Sequence, residues 1–494
     1  MRPDLPVKGT TNVPGPPTRR WPLIGDALWF ISVRNMEDMF RVIKSISLSR
    51  PRIVSFYLFS KLILWIYDAE MLQKIAKNCP DKDDDVYGQI ADLSHGIVTT
   101  TDNERWTVLR MTFNKILRKT KMDDFVDLFA SKAKITCEKI QGKCGKGVFD
   151  MMAIIKFYTL DITLEVFLEV PGTQQLNDTL NILPGIRRSL NYVLLKLLNP
   201  LLKIGWIYRL SPLGRRIRNT KLGVKPKLQM LVDQSLEKMK ARGSDPKDPN
   251  FEPNNFLEAL IYIGLQQNSS RDEIAHSVSD IIVAGFDTTG TSISSTLLFL
   301  AMHPEYQEMA YQEQLRVVGD SLRPPTRAEI SNMIYLDMVF NETLRNIGVP
   351  IIFRVLQAET KIDDFVLPEG AAIGIMFCQI AKDPRYFEKP NVFYPEHFSV
   401  ENVAKRPKFA SIPFSFGNRG CPGKIFGTTY SKLIISMLLR RHFKDQRPQF
   451  VTPSKRMKIF SLVNVCEPIH CMFDFIYEEH ETWMSRLFLT SRQG

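Results

Sequence analysis

The segment from residue 270 to residue 302 predicts one long helix that must lie inside a large domain. Ser270 and Glu273 have the spacing of a capping box, and Pro304 ends the helical pattern. Between residues 281 and 302 the only charged side chain is Asp287. A helix that is apolar on nearly every face is stable only when other elements surround it. At about 1.5 Å per residue the helix would be roughly 48 Å long, which is too long for a small module.

The composition is typical of a globular chain of enzyme size. The chain has 494 residues, of which 44% are hydrophobic and 24% are charged, so it can bury a sizeable core and is not disordered over most of its length. Its formal net charge of +12 would attract nucleic acid, an anionic membrane or an acidic protein. The sequence has no zinc-finger spacing, RNA-binding signature or long basic run, so we expect no nucleic-acid partner. Seven scattered cysteines favour a reducing compartment over a disulfide framework.

Helical patterns dominate the chain, and a few strands accompany them. Thr101 with Glu104, and Thr326 with Glu329, repeat the capping-box spacing at two further predicted helix starts. A strand pair is predicted where two short runs are rich in β-branched and aromatic residues, namely residues 53–59 and 62–67. We therefore expect a mainly α-helical fold with small β-sheets.

The sequence contains no run of about 20 apolar residues, so no segment is long enough to cross a bilayer as a helix. Residues 1–20 form a polar and Pro-rich lead, and residues 21–494 are expected to form a single domain. Residues 192–208 are apolar but interrupted by Lys196, and several arginines follow. This mix favours a segment that lies on a membrane surface, and an ordinary amphipathic core helix is the alternative.

Residues 284–292, Ala-Gly-Phe-Asp-Thr-Thr-Gly-Thr-Ser, are unusual for the middle of a helix. Gly285 and Gly290 each cost about 1 kcal/mol relative to alanine, and the hydroxyl side chains compete for backbone hydrogen bonds. One interpretation is a bend in a buried helix, with Asp287 bonded to a neighbour. The other is a locally opened helix that leaves room for a small ligand and holds an acid, Asp287, and an alcohol, Thr288, for proton transfer.

A second unusual segment, residues 414–423, reads Phe-Ser-Phe-Gly-Asn-Arg-Gly-Cys-Pro-Gly and is followed by a helical pattern over residues 424–441. We expect Cys421 at the start of this helix, with Pro422 in its first position. The backbone N–H groups and the helix dipole would then lower the pKa of the Cys421 thiol. Glycines on both sides of the cysteine would let a flat cofactor approach the backbone, and Arg419 suits a carboxylate partner.

The pattern F-x-x-G-x-R-x-C-x-G of this segment resembles the haem-thiolate signature of the cytochrome P450 superfamily. Four further motifs resemble those of the family and follow its order: Trp106 with Arg110, residues 284–289, Glu342 with Arg345, and residues 393–398. The resemblance covers roughly residues 13–445 and is greatest to the arthropod branch that includes fatty-acid ω-hydroxylases. It implies the cytochrome P450 fold, with the haem between a long central helix and a Cys-containing loop.

The resemblance also implies roles for individual residues. Cys421 would be the axial ligand of the haem iron, while Asp287 and Thr288 would deliver protons to dioxygen. Further contacts with the haem, including those to its propionates, would come from Trp106, Arg110, Arg354, Phe414, Arg419 and Gly423. A structural network would consist of Glu342, Arg345 and His397.

Some positions depart from the family pattern. His397 stands where the family usually has an arginine, and a histidine replaces it by hydrogen bonding with less charge. The connection from Arg345 to Arg354 is one residue shorter than usual. Ala284 stands where many ω-hydroxylases carry a glutamate that esterifies the haem, so we expect no covalent link there. Beyond residue 445 the usual ending of the family is missing.

The implied activity is that of a monooxygenase that binds haem b and hydroxylates an apolar small molecule, such as a fatty acid, a hormone-like lipid or a xenobiotic. NADPH would act only through NADPH-cytochrome P450 reductase, and cytochrome b5 is a further expected partner. The alternatives on the same fold are an O2-independent isomerase or dehydratase and a non-catalytic haem sensor.

We expect the chain on the cytosolic face of the endoplasmic reticulum membrane. Microsomal members begin with a spanning helix, whereas only twelve polar residues precede the Pro-rich lead here, so the expected attachment is peripheral. A basic patch around the cysteine would attract an acidic flavoprotein. Its predicted members are Arg118, Lys119, Lys121, Lys424, Lys432, Arg440 and Arg441.

Overall fold

Most of the chain can be described from a computed structural model. The described residues are 11–16, 24–30, 42, 45, 52–91, 96–119, 122–144, 146, 149–198, 202, 205–348 and 351–445. Helices account for most of them, which confirms the expected mainly α-helical class with small β-sheets.

The two apolar runs near residues 53 and 62 form the predicted strand pair. The strands are β1 (Ile53–Leu58), β2 (Lys61–Ile66), β3 (Ile352–Val355), β4 (Thr360–Ile362), β5 (Phe365–Leu367) and β6 (Ala372–Ile375). β1 and β2 are antiparallel, with Ile53 opposite Ile66. β6 pairs in parallel with β2, and β3 pairs antiparallel with β6, so one mixed sheet has the order β1-β2-β6-β3. β4 and β5 form a separate hairpin.

The helices surround one central member. In chain order they are α1 (Ala69–Ile75), α2 (Asp84–Ala91), α3 (Asn103–Lys119), α4 (Met122–Gln141), α5 (Met151–Leu168), α6 (Leu183–Leu198), α7 (Gly205–Leu210), α8 (Pro212–Ala241), α9 (Phe256–Gln266), α10 (Arg271–Met302), α11 (Pro304–Val317), α12 (Arg327–Ser331), α13 (Ile334–Ile347), α14 (Phe377–Ile380), α15 (Val400–Ala404) and α16 (Lys424–Asp445). A large apolar core includes residues of α10, and a smaller one includes residues of the mixed sheet.

Two of the three predicted capping boxes are confirmed. Ser270 and Glu273 satisfy each other's backbone N–H groups at the start of α10, and Thr326 and Glu329 do so at α12. The third prediction is wrong by one residue, because the Asp102 carboxylate accepts the N–H groups at the start of α3. Aspartate is a strong N-cap residue and precedes the first helical residue directly.

The glycines of the unusual segment let α10 pack closely against α5. A Cβ at Gly285 would lie 2.6 Å from Thr163 Oγ1, and a Cβ at Gly290 would lie 3.0 Å from Thr159 Oγ1. α10 is α-helical throughout residues 284–292. The locally opened helix predicted there is therefore wrong: the small residues accommodate a neighbouring helix, and the backbone stays regular.

In the described parts of the chain, no helix combines the length and the apolar character that a membrane span needs. The predicted surface segment, residues 192–208, divides into the end of α6 and the start of α7. None of the residues of α7 is buried. An amphipathic core helix is therefore excluded for α7.

Candidate active site

Cys421 lies in a tight loop that leads into α16. Its N–H donates to the carbonyl of Phe414 at 2.9 Å, and the N–H of Gly420 donates to the carbonyl of Gly417 at 3.0 Å. Gly417 has a φ of 64°, which suits glycine and allows the loop to reverse. The predicted helix start is wrong, because α16 begins at Lys424 and not at Pro422.

The surroundings of the Cys421 thiol act on its pKa in opposite directions. The residue as a whole is exposed, but the atoms packed around its sulfur shield the sulfur from water, and this desolvation raises the pKa of the thiol. The backbone N–H of Gly423 and the charge of Arg110 lower it by less. The predicted net lowering is therefore wrong for this structure, since the cost of desolvating a thiolate exceeds the benefit of the loop donors.

Two of the predicted cofactor-binding residues meet beside this loop. The guanidinium of Arg419 lies over the ring of Trp106 at 4.0 Å, and its Nη2 donates to Asn103 Oδ1 at 2.5 Å. The other terminal nitrogen, Nη1, is buried without a hydrogen-bond partner among the described residues. Arg110 of α3 donates to the Gly420 carbonyl at 2.7 Å. The start of α3 and the cysteine loop are thus joined through side chains.

Arg354 reaches the same loop from the sheet. It is buried in β3, and its Nη2 donates to Ser415 Oγ at 3.2 Å. The short connection from α13 does not keep it away from the cysteine loop.

Phe414 is half-buried beneath the ammonium of Lys424, and a Cβ at position 423 would lie 4.0 Å from the Cys421 sulfur.

Lys82 is a buried cation that lies near Arg354 and Arg419, and no sequence pattern pointed to it. A backbone bridge between Asp81 and Val355 places it beside Arg354, and its ammonium donates to the Val98 carbonyl. Desolvation and the charges of Arg419 and Arg354 lower the pKa of Lys82 to about 7, although Asp280 opposes this.

The charges of the three cations are only partly compensated, by Asp280 near Lys82 and by Asp81 near Arg419. Within the described part of the chain, none of Lys82, Arg354 and Arg419 forms a salt bridge. Desolvation and the charge of Arg354 lower the pKa of Arg419 to about 10, although Asp81 opposes this. Buried cations that repel one another require negative charge nearby. A cofactor with two carboxylates, such as the haem implied by the resemblance, fits this cluster.

The acid and the alcohol of α10 have different hydrogen-bond partners. Asp287 Oδ1 accepts a hydrogen bond from Lys156 Nζ of α5 at 2.8 Å, and both side chains are mostly buried. Thr288 is exposed, and its hydroxyl donates to the Ala284 carbonyl at 3.0 Å. Of the two interpretations of this segment, the one in which Asp287 bonds to a neighbour agrees with this contact, and the neighbour is a lysine that no sequence pattern indicated.

A buried network surrounds Glu342. Arg345 donates to both of its carboxylate oxygens, at 2.7 and 2.8 Å, and His397 Nδ1 lies 3.2 Å from Glu342 Oε2. Although burial raises the pKa of Glu342, the bonds from Arg345 and His397 bring it below its ordinary value. Arg406, which was not predicted, donates to the His397 carbonyl at 2.7 Å and lies over the Phe387 ring.

The predicted basic patch is only partly present. Lys432 is buried and lies 3.3 Å from Asp337, and Arg440 is buried and donates to the Ser321 carbonyl. These two predictions are wrong because both side chains lie on the buried face of α16. Lys424 is exposed. Lys121 and the side chains of Arg118 and Lys119 lie outside the described residues.

Comparisons with known proteins agree with this arrangement. The family model described as Cytochrome P450 matches residues 14–470. Cytochrome P450 4c21 of Blattella germanica is 26% identical over 90% of this chain and 89% of its own length. Cytochrome P450 4V2 of Rattus norvegicus is 26% identical over 85% and 82%, and cytochrome P450 4c3 of Drosophila melanogaster is 28% identical over 71% and 68%. With a family match across nearly the whole chain and a cysteine loop flanked by buried cations, the chain belongs to the cytochrome P450 family.

Proposed function

We propose that this protein inserts one atom of dioxygen into an apolar small molecule, with electrons that NADPH supplies through NADPH-cytochrome P450 reductase. Family membership establishes the coarser activity, which is that of a haem monooxygenase. The substrate class, the reductase and the roles of individual residues belong to the proposal. The observation that carries it is the cysteine loop beside three cations, two of them buried, that form no salt bridge among the described residues.

Two groups of residues would hold the haem. Cys421 would ligate the iron, and Arg354, Arg419 and Lys82 would pair with the propionates, with Trp106 and Arg110 as further contacts. The haem supplies the iron centre for dioxygen chemistry, and a cysteine ligand favours cleavage of the O–O bond. The close approach of Gly423 to the Cys421 sulfur leaves that side of the loop without a bulky side chain.

The chain's own contribution to the chemistry is proton transfer. Conversion of RH and O2 to ROH and H2O consumes two electrons and two protons, so the site must deliver protons as well as electrons. The exposed hydroxyl of Thr288 stays oriented because it donates to the Ala284 carbonyl. Asp287, one residue earlier, takes protons from solvent and passes them to that hydroxyl, which releases its own proton towards dioxygen. Ala284 has no carboxylate, so the haem is not covalently linked at this position.

The substrate is expected to reach the protein from a lipid phase. On α7 the side chains of Trp206 and Leu210 are 67% and 75% exposed. Exposed basic residues adjoin them: Arg209, Arg215, Arg216 and Arg218. Aromatic and aliphatic side chains flanked by arginines suit the headgroup region of an anionic membrane. The chain therefore rests on the cytosolic face of the endoplasmic reticulum, where fatty acids, hormone-like lipids and xenobiotics partition.

The reductase docks on the face that carries Cys421. Lys424 is exposed there next to Ile425, which is 69% exposed. A cation beside an apolar side chain suits an acidic flavoprotein surface, and charge steers the encounter more than it adds affinity. Cytochrome b5, another acidic electron carrier, would use the same face.

The first test is a carbon monoxide difference spectrum of the reduced protein, followed by turnover with reductase, NADPH and a panel of fatty acids. A thiolate Soret band that is lost in Cys421→Ser, together with product that requires both NADPH and O2, supports the proposal. Product formed from hydroperoxides without O2 would favour the isomerase or dehydratase alternative. A thiolate spectrum without any product would favour a sensor.

A further inference from the structure

The ion pair between Lys156 and Asp287 has no counterpart among the motifs that the sequence analysis singled out. Lys156 lies on α5, and its ammonium is 2.8 Å from Asp287 Oδ1. The lysine and aspartate side chains are only 18% and 15% exposed. Two mostly buried ions at this distance are screened little by solvent, so their mutual orientation is restricted.

The packing of the two helices makes this contact specific to one orientation. Gly290 of α10 faces α5, and a Cβ at that position would lie 3.1 Å from Lys156 Cγ. The absence of a side chain there admits the lysine stem. In the next turn the Thr159 hydroxyl donates to the Phe286 carbonyl at 2.8 Å, which fixes the register of the helices. The ammonium is thereby held where it meets Asp287.

Asp287 and Thr288 are neighbours in sequence, yet only Asp287 is paired with α5. The Thr288 hydroxyl bonds within its own helix turn and is exposed. Without an anchor, the aspartate side chain could occupy several rotamers, and only some of these suit proton exchange with Thr288.

We propose that Lys156 is a positioning residue for proton delivery, because it holds the Asp287 carboxylate in one orientation beside Thr288. The inference rests on the proposed function, in which Asp287 and Thr288 supply protons. Lys156 itself transfers no proton. The Asp287 carboxylate takes a proton from solvent and passes it to Thr288 Oγ1, and the Thr288 hydroxyl releases its own proton towards dioxygen.

The test compares product and hydrogen peroxide formed per NADPH in Lys156→Met, Lys156→Arg and the parent holoenzyme with reductase. In Lys156→Met we expect roughly a two- to fivefold loss of product per NADPH, the range for a pair of this kind, with a matching rise in peroxide. The solvent deuterium isotope effect on product formation should increase, and Lys156→Arg should restore coupling. Substrate affinity, read from the spectral shift on binding, should not change.

The chain offers a matched control on the same helix. Lys225 of α8 pairs with Asp272 of α10 at 2.5 Å, about 22 Å from Asp287 along the helix. Lys225→Met should leave coupling and the isotope effect unchanged. In an Asp287→Asn background, Lys156→Met should cause no further loss of coupling, because the lysine acts through the carboxylate.

The inference would be overturned by unchanged coupling in Lys156→Met, or by an equal loss of coupling in the Asp287→Asn background. A parent enzyme without product would instead count against the proposed function. A double-mutant cycle on urea unfolding of the holoprotein, for positions 156 and 287, measures the ion pair without turnover. A coupling energy of zero in that cycle would also refute the inference.

Discussion

The phenolic hydroxyl of Tyr430 on α16 donates to the backbone carbonyl of Gly285 on α10 at 3.0 Å. This bond joins the helix that follows Cys421 to the helix that carries Asp287 and Thr288. Tyr430 is almost fully buried, and desolvation raises the pKa of its hydroxyl above the ordinary value, so the group stays protonated and acts as a donor.

Replacing Tyr430 by phenylalanine should lower the free energy of unfolding by about 1 kcal/mol, because a buried donor to the Gly285 carbonyl is lost. Tyr335 provides the control, since its hydroxyl is buried without a hydrogen-bond partner among the described residues. Tyr335→Phe should cost nothing or stabilise the protein. Urea unfolding of the holoprotein measures both, and equal effects would contradict the assigned hydrogen bond.

The packing of α10 on α5 predicts opposite effects for two helical glycine substitutions. Gly285→Ala should destabilise the protein by roughly 1–3 kcal/mol, because the new methyl group overlaps Thr163. Gly223→Ala on α8, where a Cβ would meet nothing within 4 Å, should stabilise it by up to about 1 kcal/mol through helix propensity. Thermal unfolding measures the change in stability for both substitutions. If both destabilise the protein, the close approach of α10 to α5 does not explain the effect of Gly285→Ala.

The cluster of Lys82, Arg354 and Arg419 predicts that the lysine helps to retain the haem. Lys82→Met should speed haem transfer to apomyoglobin by about tenfold, as expected when a charged hydrogen bond is lost. Lys82→Arg should keep most of the retention. Lys115→Met, which removes an exposed lysine of α3 paired with Glu252, is the control and should leave the rate unchanged. If haem transfer is as slow in Lys82→Met as in Lys115→Met, Lys82 does not help to hold the haem.

The capping residue Glu329 predicts a stability loss in acid. A hydrogen bond from Arg323, opposed by desolvation and aided by Thr326, lowers the pKa of Glu329 to about 2, against 4.5 in the unfolded chain. A carboxylate whose pKa is lower in the folded protein than in the unfolded chain stabilises the fold. This stabilisation is fully present above pH 4.5 and is lost as the pH falls towards 2. Since the pair is partly exposed, the loss should be no more than about 1 kcal/mol. The free energy of unfolding should be measured at pH 6 and pH 3 for the parent and for Arg323→Ala. It should change less between the two pH values in the variant.

Local patterns predicted much of the helix and strand content because they depend on neighbours in sequence. The capping boxes at Ser270 and Thr326, the strand pair and the long apolar helix follow from side-chain spacing alone. The predicted start of α16 at Pro422 was two residues too early, because Pro422 and Gly423 form a turn and the helix begins at Lys424. A proline is compatible with either position.

The candidate site was predictable only where a motif carried it. Cys421 and its glycines form a contiguous pattern, and the Glu342–Arg345 pair lies within one helix turn. Lys82 and Lys156 each stand in unremarkable sequence, and their charged neighbours, such as Arg354 for Lys82 and Asp287 for Lys156, lie more than a hundred residues away. Lys432 and Arg440 looked like surface charges because charge alone does not reveal which helix face is buried.

Sequence spacing predicted the capping residues, the long helix and the residues proposed to bear the chemistry, because capping, helical period and the cysteine motif are local properties of the chain. It could not establish which charges face one another. Whether Asp287 meets a lysine, and whether three cations lie close together, depends on how α5, β3 and the cysteine loop pack. Electrostatic energies vary with distances and burial across the fold, and chain packing sets both.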